Sequence, residues 1–257
     1  MNITNYLTKK ISCLTATYGR YRVLSEAVTC FYEQDYSNKE LIILNNHPAP
    51  LVCHLPQVMI INEPGYPSLG DCRNRLLELA TGEYVRTWDD DDLYLPTALS
   101  QGIEYIRDYP AWKPARSWSW RVEQDIMTLN SNTYEASWTV RADVARKYGY
   151  GVMSGGNEHN VLHRGINTMG GVRRDEVEPT YVYRWASGLC RISGTLNKND
   201  LSDETTRRRT ARWMGRNNDT GDGRPIEPVD LTKYWERIER ARNDMDKNTD
   251  ETAEDLR

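Results

Sequence analysis

A chain of 257 residues with 39% hydrophobic content buries enough surface for a core without staples, and 33 basic against 37 acidic residues, a net charge of −4, argue against a chain-wide nucleic-acid footprint. The cysteines (Cys13, Cys30, Cys53, Cys72 and Cys190) are scattered, odd in number and free of C-x-x-C spacing, which argues against a disulfide framework and a zinc site. The N-terminal segment lacks the apolar core of a secretory signal and no stretch approaches the ~18 apolar residues of a membrane span, so a cytoplasmic protein without integral membrane association is expected.

Ile11 to Thr15 reads as a short buried strand, after which Val23, Leu24, Ala27, Val28 and Phe31 recur at helical spacing. Leu41 to Leu44 and Val58 to Ile61 are the next apolar runs. A helical segment carrying Leu69, Cys72, Leu76, Leu77 and Ala80 follows, with Gly82 placed as its C-terminal cap, and Tyr84 to Trp88 returns to strand. Strands alternating with amphipathic helices predict an α/β architecture, a mainly parallel sheet covered on both faces. The stretch from Trp112 to Trp120 and on to Trp138 is rich in aromatic residues beside Arg116 and Arg121. Flat aromatic faces serve carbohydrate sites, yet ordinary core is their commoner use. Beyond Asp200 charge dominates: Arg207, Arg208, Arg209, Arg212 and Arg216 surround Trp213, and residues 221–228 read as a linker. A last helix then begins, with Asp230 as its N-cap and Leu231, Tyr234, Trp235, Ile238 and Ala241 forming one stripe that should dock on the body before the end frays.

Ligands of open α/β sheets bind beyond the carboxyl ends of the strands. Three such ends carry polar residues here: Thr15 to Arg20, Asn45 to His47, and Asp89 to Asp92. Consecutive carboxylates repel and raise one another's pKa, so something positive must hold them. A magnesium or manganese ion completed by substrate phosphates suits an Asp-rich strand end. A solvated acidic turn is the bland alternative, whereas a calcium loop lacks its required glycine. His159 and His163 lie four apart and could share a helix face, but Asn160 stands where a metalloprotease needs Glu, so they read as surface or acceptor-lining residues.

The run Gly82-Glu83-Tyr84-Val85-Arg86-Thr87-Trp88-Asp89-Asp90-Asp91-Asp92-Leu93-Tyr94-Leu95-Pro96 closely resembles a signature of the family-two type of GT-A glycosyltransferases. The resemblance extends to Ile11-Ser12-Cys13-Leu14-Thr15-Ala16-Thr17-Tyr18-Gly19-Arg20, Gln34-Asp35-Tyr36, Glu40-Leu41-Ile42-Ile43-Leu44 and Arg73-Asn74, in the family's order. It implies a Rossmann-like, mainly parallel central sheet with flanking helices and a C-terminal helical extension. Residues 1–200 would form the transferase domain, with a nucleotide-sugar half at 1–100 and an acceptor half at 101–200. Residues 201–257 would be the extension.

Carried over residue by residue, the resemblance implies that Thr17, Tyr18, Arg20, Asn45 and Asn46 hold the nucleotide, with Arg73 nearby. Asp89 and Asp90 would face ribose or metal, and Asp91 matches the principal metal-binding aspartate for Mn2+ or Mg2+. Asn45 replaces the family's usual Asp. Its amide can accept the uracil bond yet also donates, which leaves UDP favoured and the base open. In Gly155-Gly156-Asn157-Glu158-His159-Asn160-Val161-Leu162-His163-Arg164, Glu158 falls at the place of the base that deprotonates the acceptor. A plain N-terminal helix charge is the alternative reading. Arg191 stands where some members carry a His and would neutralise the leaving phosphates. The implied activity is a metal-dependent, inverting transfer from a nucleotide-sugar donor. The acceptor is a saccharide or glycoconjugate, or a hydroxymethylated nucleic-acid base, since related compact enzymes occur in viruses of bacteria. In the latter case Arg207 to Arg216 would meet phosphates. A silent nucleotide-sugar-binding protein and a nucleotidyltransferase are the competing classes.

Overall fold

The computed structural model describes residues 8–152, 158–185 and 223–254, with side chains through 245 in the last segment. The first half runs β1 (Ile11–Thr17), α1 (Tyr21–Tyr32), β2 (Lys39–Asn45), β3 (Val52–Cys53), β4 (Val58–Asn62), α2 (Leu69–Leu79), β5 (Tyr84–Thr87), β6 (Leu93–Tyr94) and α3 (Ala98–Ile106). The second runs β7 (Ala111–Pro114), β8 (Arg116–Arg121), β9 (Ile126–Ser131), β10 (Thr139–Arg141), α4 (Ala142–Tyr148), α5 (His159–Thr168), β11 (Val172–Asp175), β12 (Tyr181–Trp185), β13 (Pro225–Ile226) and α6 (Thr232–Glu254).

The main sheet has seven strands in the order β11-β7-β10-β5-β1-β2-β4. β5, β1, β2 and β4 run parallel, and β10 is antiparallel to both its neighbours. A second sheet is ordered β6-β12-β8-β9. The run Leu41 to Leu44 is uniformly apolar because both of its faces are covered: Leu41 and Ile43 join the core under α1 and α3, while Ile42 and Leu44 join the core under α2, α4 and α5. Thr17, Asn45 and Asn62 end three adjacent parallel strands in register, so their polar side chains share one edge. The expected α/β architecture is thus found. Trp112, Trp118, Trp120 and Trp138 are all buried, which is the core use of these rings.

Gly82 is not the helix cap expected of it. The last turn of α2 is closed by Ala80, in extended backbone (φ −60°, ψ 133°), and no left-handed residue is required there. Gly82 is instead a point of close approach: its N–H donates to Ser12 Oγ at 2.9 Å, and a Cβ would lie 2.7 Å from the Lys10 carbonyl oxygen.

The C-terminal stripe docks as its spacing demands. Asp230 Oδ1 accepts from the Thr232 N–H at 2.9 Å, and Leu231, Ile238 and Ala241 are buried in the α1-side core. β13 pairs in parallel with β3, and Trp235 Nε1 donates to Glu33 Oε2 at 3.0 Å. The Arg207 to Arg216 cluster and Arg191 lie outside the described residues.

α2 is seated by a second close approach, where a Cβ on Gly70 would stand 1.9 Å from the Gly151 carbonyl oxygen and 3.3 Å from Glu158 Cβ. Because the obstacle is backbone, it cannot rotate away. Gly70→Ala should therefore destabilise by about 2 kcal/mol, seen in a thermal melt as a fall of roughly 4–8 °C in Tm.

Candidate active site at the carboxyl ends of the parallel strands

The turn after β1 and the acidic segment after β5 are tied to each other. Thr15 Oγ1 donates to the Trp88 carbonyl at 2.6 Å, which fixes where the four aspartates leave the sheet. Thr17 Oγ1 then donates to Asp90 Oδ2 at 2.6 Å, and Arg20 Nε donates to the same oxygen at 3.0 Å. Arg20 Nη2 reaches Asp90 Oδ1, and Nη1 donates to Asp91 Oδ2 at 3.1 Å. Burial and the neighbouring Asp91 push the Asp90 carboxyl up, while Arg20 and Thr17 pull it down. Asp92 is an anchor, not a ligand-facing group: it accepts from Tyr181 Oη and, at 3.0 Å, from the Arg184 N–H. The four carboxylates thus differ in access. Asp89 is 36% exposed in its side chain, against 10% for Asp91 and 2% for Asp90.

The second strand end is saturated. Asn45 Oδ1 accepts from the N–H groups of Gly19 and His47, both at 3.1 Å, and Nδ2 donates to the Ala49 carbonyl and to Asn62 Oδ1, both at 2.9 Å. All four hydrogen-bonding positions of its amide are therefore taken, so its side chain clamps two loops and presents no spare group to a nucleobase. Asn46 plays the same part for the next loop, with Oδ1 accepting from Gly65 at 2.8 Å and from Tyr66 at 2.9 Å. Gly19 sits at φ +66°, and a Cβ there would meet His47 Cγ at 2.9 Å, so the turn that carries Tyr18 demands glycine. The Tyr18 ring stands edge-on to His47 at 4.8 Å between centroids.

A second network is centred on Arg73 of α2, a helix capped by Ser68 Oγ accepting from the Asp71 N–H at 3.1 Å. Arg73 Nη1 donates to Glu158 Oε1 at 2.6 Å and to Glu135 Oε2 at 3.3 Å, while Nη2 donates to Asp89 Oδ1 at 2.9 Å. Glu135 Oε1 also accepts from Thr87 Oγ1 and Tyr150 Oη, each at 2.8 Å. Glu135 carries no motif in the sequence, and only the fold brings it to Arg73. Glu158 stands immediately before α5, as its sequence context implies, yet it is 3% exposed. Burial pushes its carboxyl up, but Arg73 and His159 outweigh burial and hold it at about 2. Beside it, the His163 ring stacks on Trp138 at 4.1 Å, and burial pushes that imidazole down to about 4.

A third arginine completes the compensation. Arg184 Nε donates to the Asp91 carbonyl at 2.7 Å and Nη1 to Glu26 Oε2 at 2.6 Å, while Tyr234 Oη of α6 donates to Glu26 Oε1 at 2.6 Å. The structure thus gathers Thr17, Arg20, Asp90 and Asp91 in one network and Arg73, Asp89 and Glu158 in another, joined through the aspartate backbone. Among the described residues no group of three or more His, Cys, Asp or Glu side chains is arranged to hold a metal ion, and no helix is long and apolar enough to cross a membrane.

A mainly parallel sheet, with only β10 reversed, whose strand ends present an acidic segment beside a polar turn defines the nucleotide-binding scaffold of GT-A proteins. The chain belongs to glycosyl transferase family 2, whose model matches residues 12–157. Over 98 residues it is 33% identical to WcaA of Escherichia coli (strain K12), named as a colanic acid biosynthesis glycosyl transferase, a match covering 35% of each chain. Over 109 residues it is 24% identical to the Bacillus subtilis (strain 168) protein EpsE, named as a glycosyltransferase, covering 39% of each. The matches thus span little more than a third of these relatives. Among solved structures, S. aureus TarS 1-349 in complex with UDP-GlcNAc superposes with a TM-score of 0.59 at 13% identity, covering 79% of this chain and 65% of that one. The mannosyltransferase PcManGT from Pyrobaculum calidifontis, in complex with GDP-Man and Mn2+, gives 0.50 at 14% identity, covering 72% and 62%.

Removing Arg73 would strand buried carboxylates, so Arg73→Met should cost about 3–5 kcal/mol of stability in urea unfolding. Glu158, held at about 2 against an ordinary 4.5, contributes stability that is complete above pH 4.5 and is lost as the pH falls through about 2. Glu158→Gln should flatten that portion of the Tm against pH curve.

Proposed function

We propose that the protein is a metal-dependent, inverting glycosyltransferase that moves a sugar from a nucleotide-sugar donor to an acceptor hydroxyl. The observation that carries this reading is the network in which Thr17 and Arg20 grip Asp90 and Asp91 at the carboxyl ends of adjacent parallel strands. It lies within a family 2 domain that superposes on nucleotide-sugar complexes.

Thr17, Tyr18, Arg20, Asn45 and Asn46 shape the nucleotide pocket in this reading, the two asparagines as architecture for the loops that line it. The open carboxylate of Asp89 and that of Asp91 would hold Mn2+ or Mg2+, with donor phosphates supplying the remaining ligands, as suits a site of few protein donors. Such an ion supplies positive charge to the departing diphosphate. Arg191, outside the described residues, is assigned to the same phosphates. The acceptor oxygen loses its proton to a base at the start of α5, the place that the family resemblance gives to Glu158, and bonds to the anomeric carbon as the bond to the diphosphate oxygen breaks, a single in-line displacement. UDP remains the favoured nucleotide, supported by the UDP-GlcNAc complex of TarS. A saccharide acceptor is supported by WcaA's place in colanic acid biosynthesis. Residues 1–200 form the catalytic domain in this reading, and 201–257 an extension that braces the acidic segment through Tyr234.

Calorimetric titration with UDP-GlcNAc and GDP-mannose, with Mn2+ or with EDTA, tests the donor and the metal together. Donor binding should require the ion. Asp91→Asn should lower nucleoside diphosphate release by about 10²–10³-fold. Pyrophosphate as the product would instead mark a nucleotidyltransferase, and tight binding with no turnover a binding protein.

A further inference from the structure

We propose that His159 is the proton acceptor for the incoming hydroxyl, with Glu158 behind it as the residue that orients the imidazole. This rests on the glycosyl-transfer reading above and moves the proton acceptor from Glu158 to its neighbour on α5.

The carboxylates near the start of α5 have little access. Glu158 Oε1 is 2.6 Å from Arg73 Nη1 and Oε2 is buried with no hydrogen-bond partner among the described residues, and at 3% exposure the residue gives an incoming hydroxyl little approach, whereas its neighbour on the helix is open. Glu135 is 8% exposed, and its two oxygens take Thr87, Tyr150 and Arg73. Asp89 is engaged by Arg73 and belongs to the donor side.

His159, the first residue of α5, is placed differently. Its side chain is 29% exposed, and its Nδ1 faces Glu158 Oε1 at 3.9 Å. Its ring lies 4.8 Å from that of His163, which is itself stacked flat on Trp138, so the imidazole is seated between a carboxylate and an aromatic pile. A carboxylate facing Nδ1 favours the tautomer that carries its proton there and leaves the Nε2 lone pair for an incoming proton. A separation of 3.9 Å is longer than a hydrogen bond, and such contacts commonly tighten only when substrate is bound.

The charges around the ring agree with this arrangement. Glu158 and Glu135 push the His159 pKa up, Arg73 and burial push it down, and the net direction is upward. His163, on the same helix and flanked by Lys113 across Trp138, is held at about 4 and stays neutral in the working range. In the transfer step Nε2 takes the hydroxyl proton while the oxygen bonds to the anomeric carbon. The electron pair of the broken bond leaves on the nucleoside diphosphate, and Glu158 stabilises the imidazolium until water removes the proton.

The test uses the full chain with Mn2+ and UDP-GlcNAc or GDP-mannose, whichever the parent turns over, and reads release of UDP or GDP against pH. The parent's kcat/KM should fall on the acid side through a pKa above 6.5, the ordinary histidine value. Glu158→Gln should move that limb to lower pH, because the carboxylate that favours imidazolium is gone. His159→Asn should abolish the limb and lower kcat by about 10²–10⁴-fold with donor affinity retained, and added imidazole should restore part of the activity of His159→Ala. A His159→Asn enzyme within a few-fold of the parent that keeps its acid limb overturns the proposal. So does a parent with no acid limb above pH 6, a result that needs no variant to fold. A parent that neither binds nor turns over any nucleotide sugar overturns the glycosyl-transfer reading itself, and this assignment with it.

Discussion

Charge compensation at the end of β5 governs this structure. Four adjacent carboxylates, three of them buried, would repel strongly in a medium of low dielectric, where Coulomb energies grow several-fold over those in water. The compensation is distributed among three arginines from distant parts of the chain. Arg20 comes from the turn after β1, Arg73 from α2 and Arg184 from β12. None of these elements can shift without leaving a buried charge or carbonyl unpaired, so the acidic segment becomes the point at which the two sheets and the helices on both faces are locked together.

The same requirement divides the aspartates by task. Asp92 and Asp90 turn inward to Tyr181, Arg184, Thr17 and Arg20, and so hold the segment's shape. Asp89 and Asp91 keep more access and, in the proposed reading, are the pair that meets a cation and phosphates. Asn45 undergoes a comparable change of meaning. An amide that looked free to read a base is consumed in joining Gly19, His47, Ala49 and Asn62, so its side chain fixes the loops it clamps.

The C-terminal helix belongs to this arrangement. Its Tyr234 holds Glu26, Glu26 holds Arg184, and Arg184 holds the carbonyl of Asp91, a contiguous polar path from the outside of α1 to the site. Paths of this kind carry positional constraint without any ligand contact of their own, and this one ties a helix far along the sequence to α1.

Much of this was legible in the residue order. Periodicity located β1, α1, β2, β4, α2 and β5, because a strand buried on both faces must be apolar throughout and a covering helix must repeat its apolar stripe. The stripe from Leu231 to Ala241 likewise announced a docked helix, and ordered motifs from Ile11 to Pro96 pointed to the family and to Thr17, Arg20, Arg73 and the aspartates. What the sequence could not decide was pairing at long range. Glu135 and Glu26 carry no local pattern, the stripe that holds Tyr234 does not reveal that its hydroxyl meets Glu26, and Gly82 looked like a helix cap because a close approach to Lys10 and Ser12 leaves no periodic trace. Burial likewise set Glu158 apart from His159, since access and charge are properties of the assembled neighbours. Local order therefore determined the elements and the chemistry available at their ends, and tertiary structure alone decided which charges meet and which remain open to a substrate.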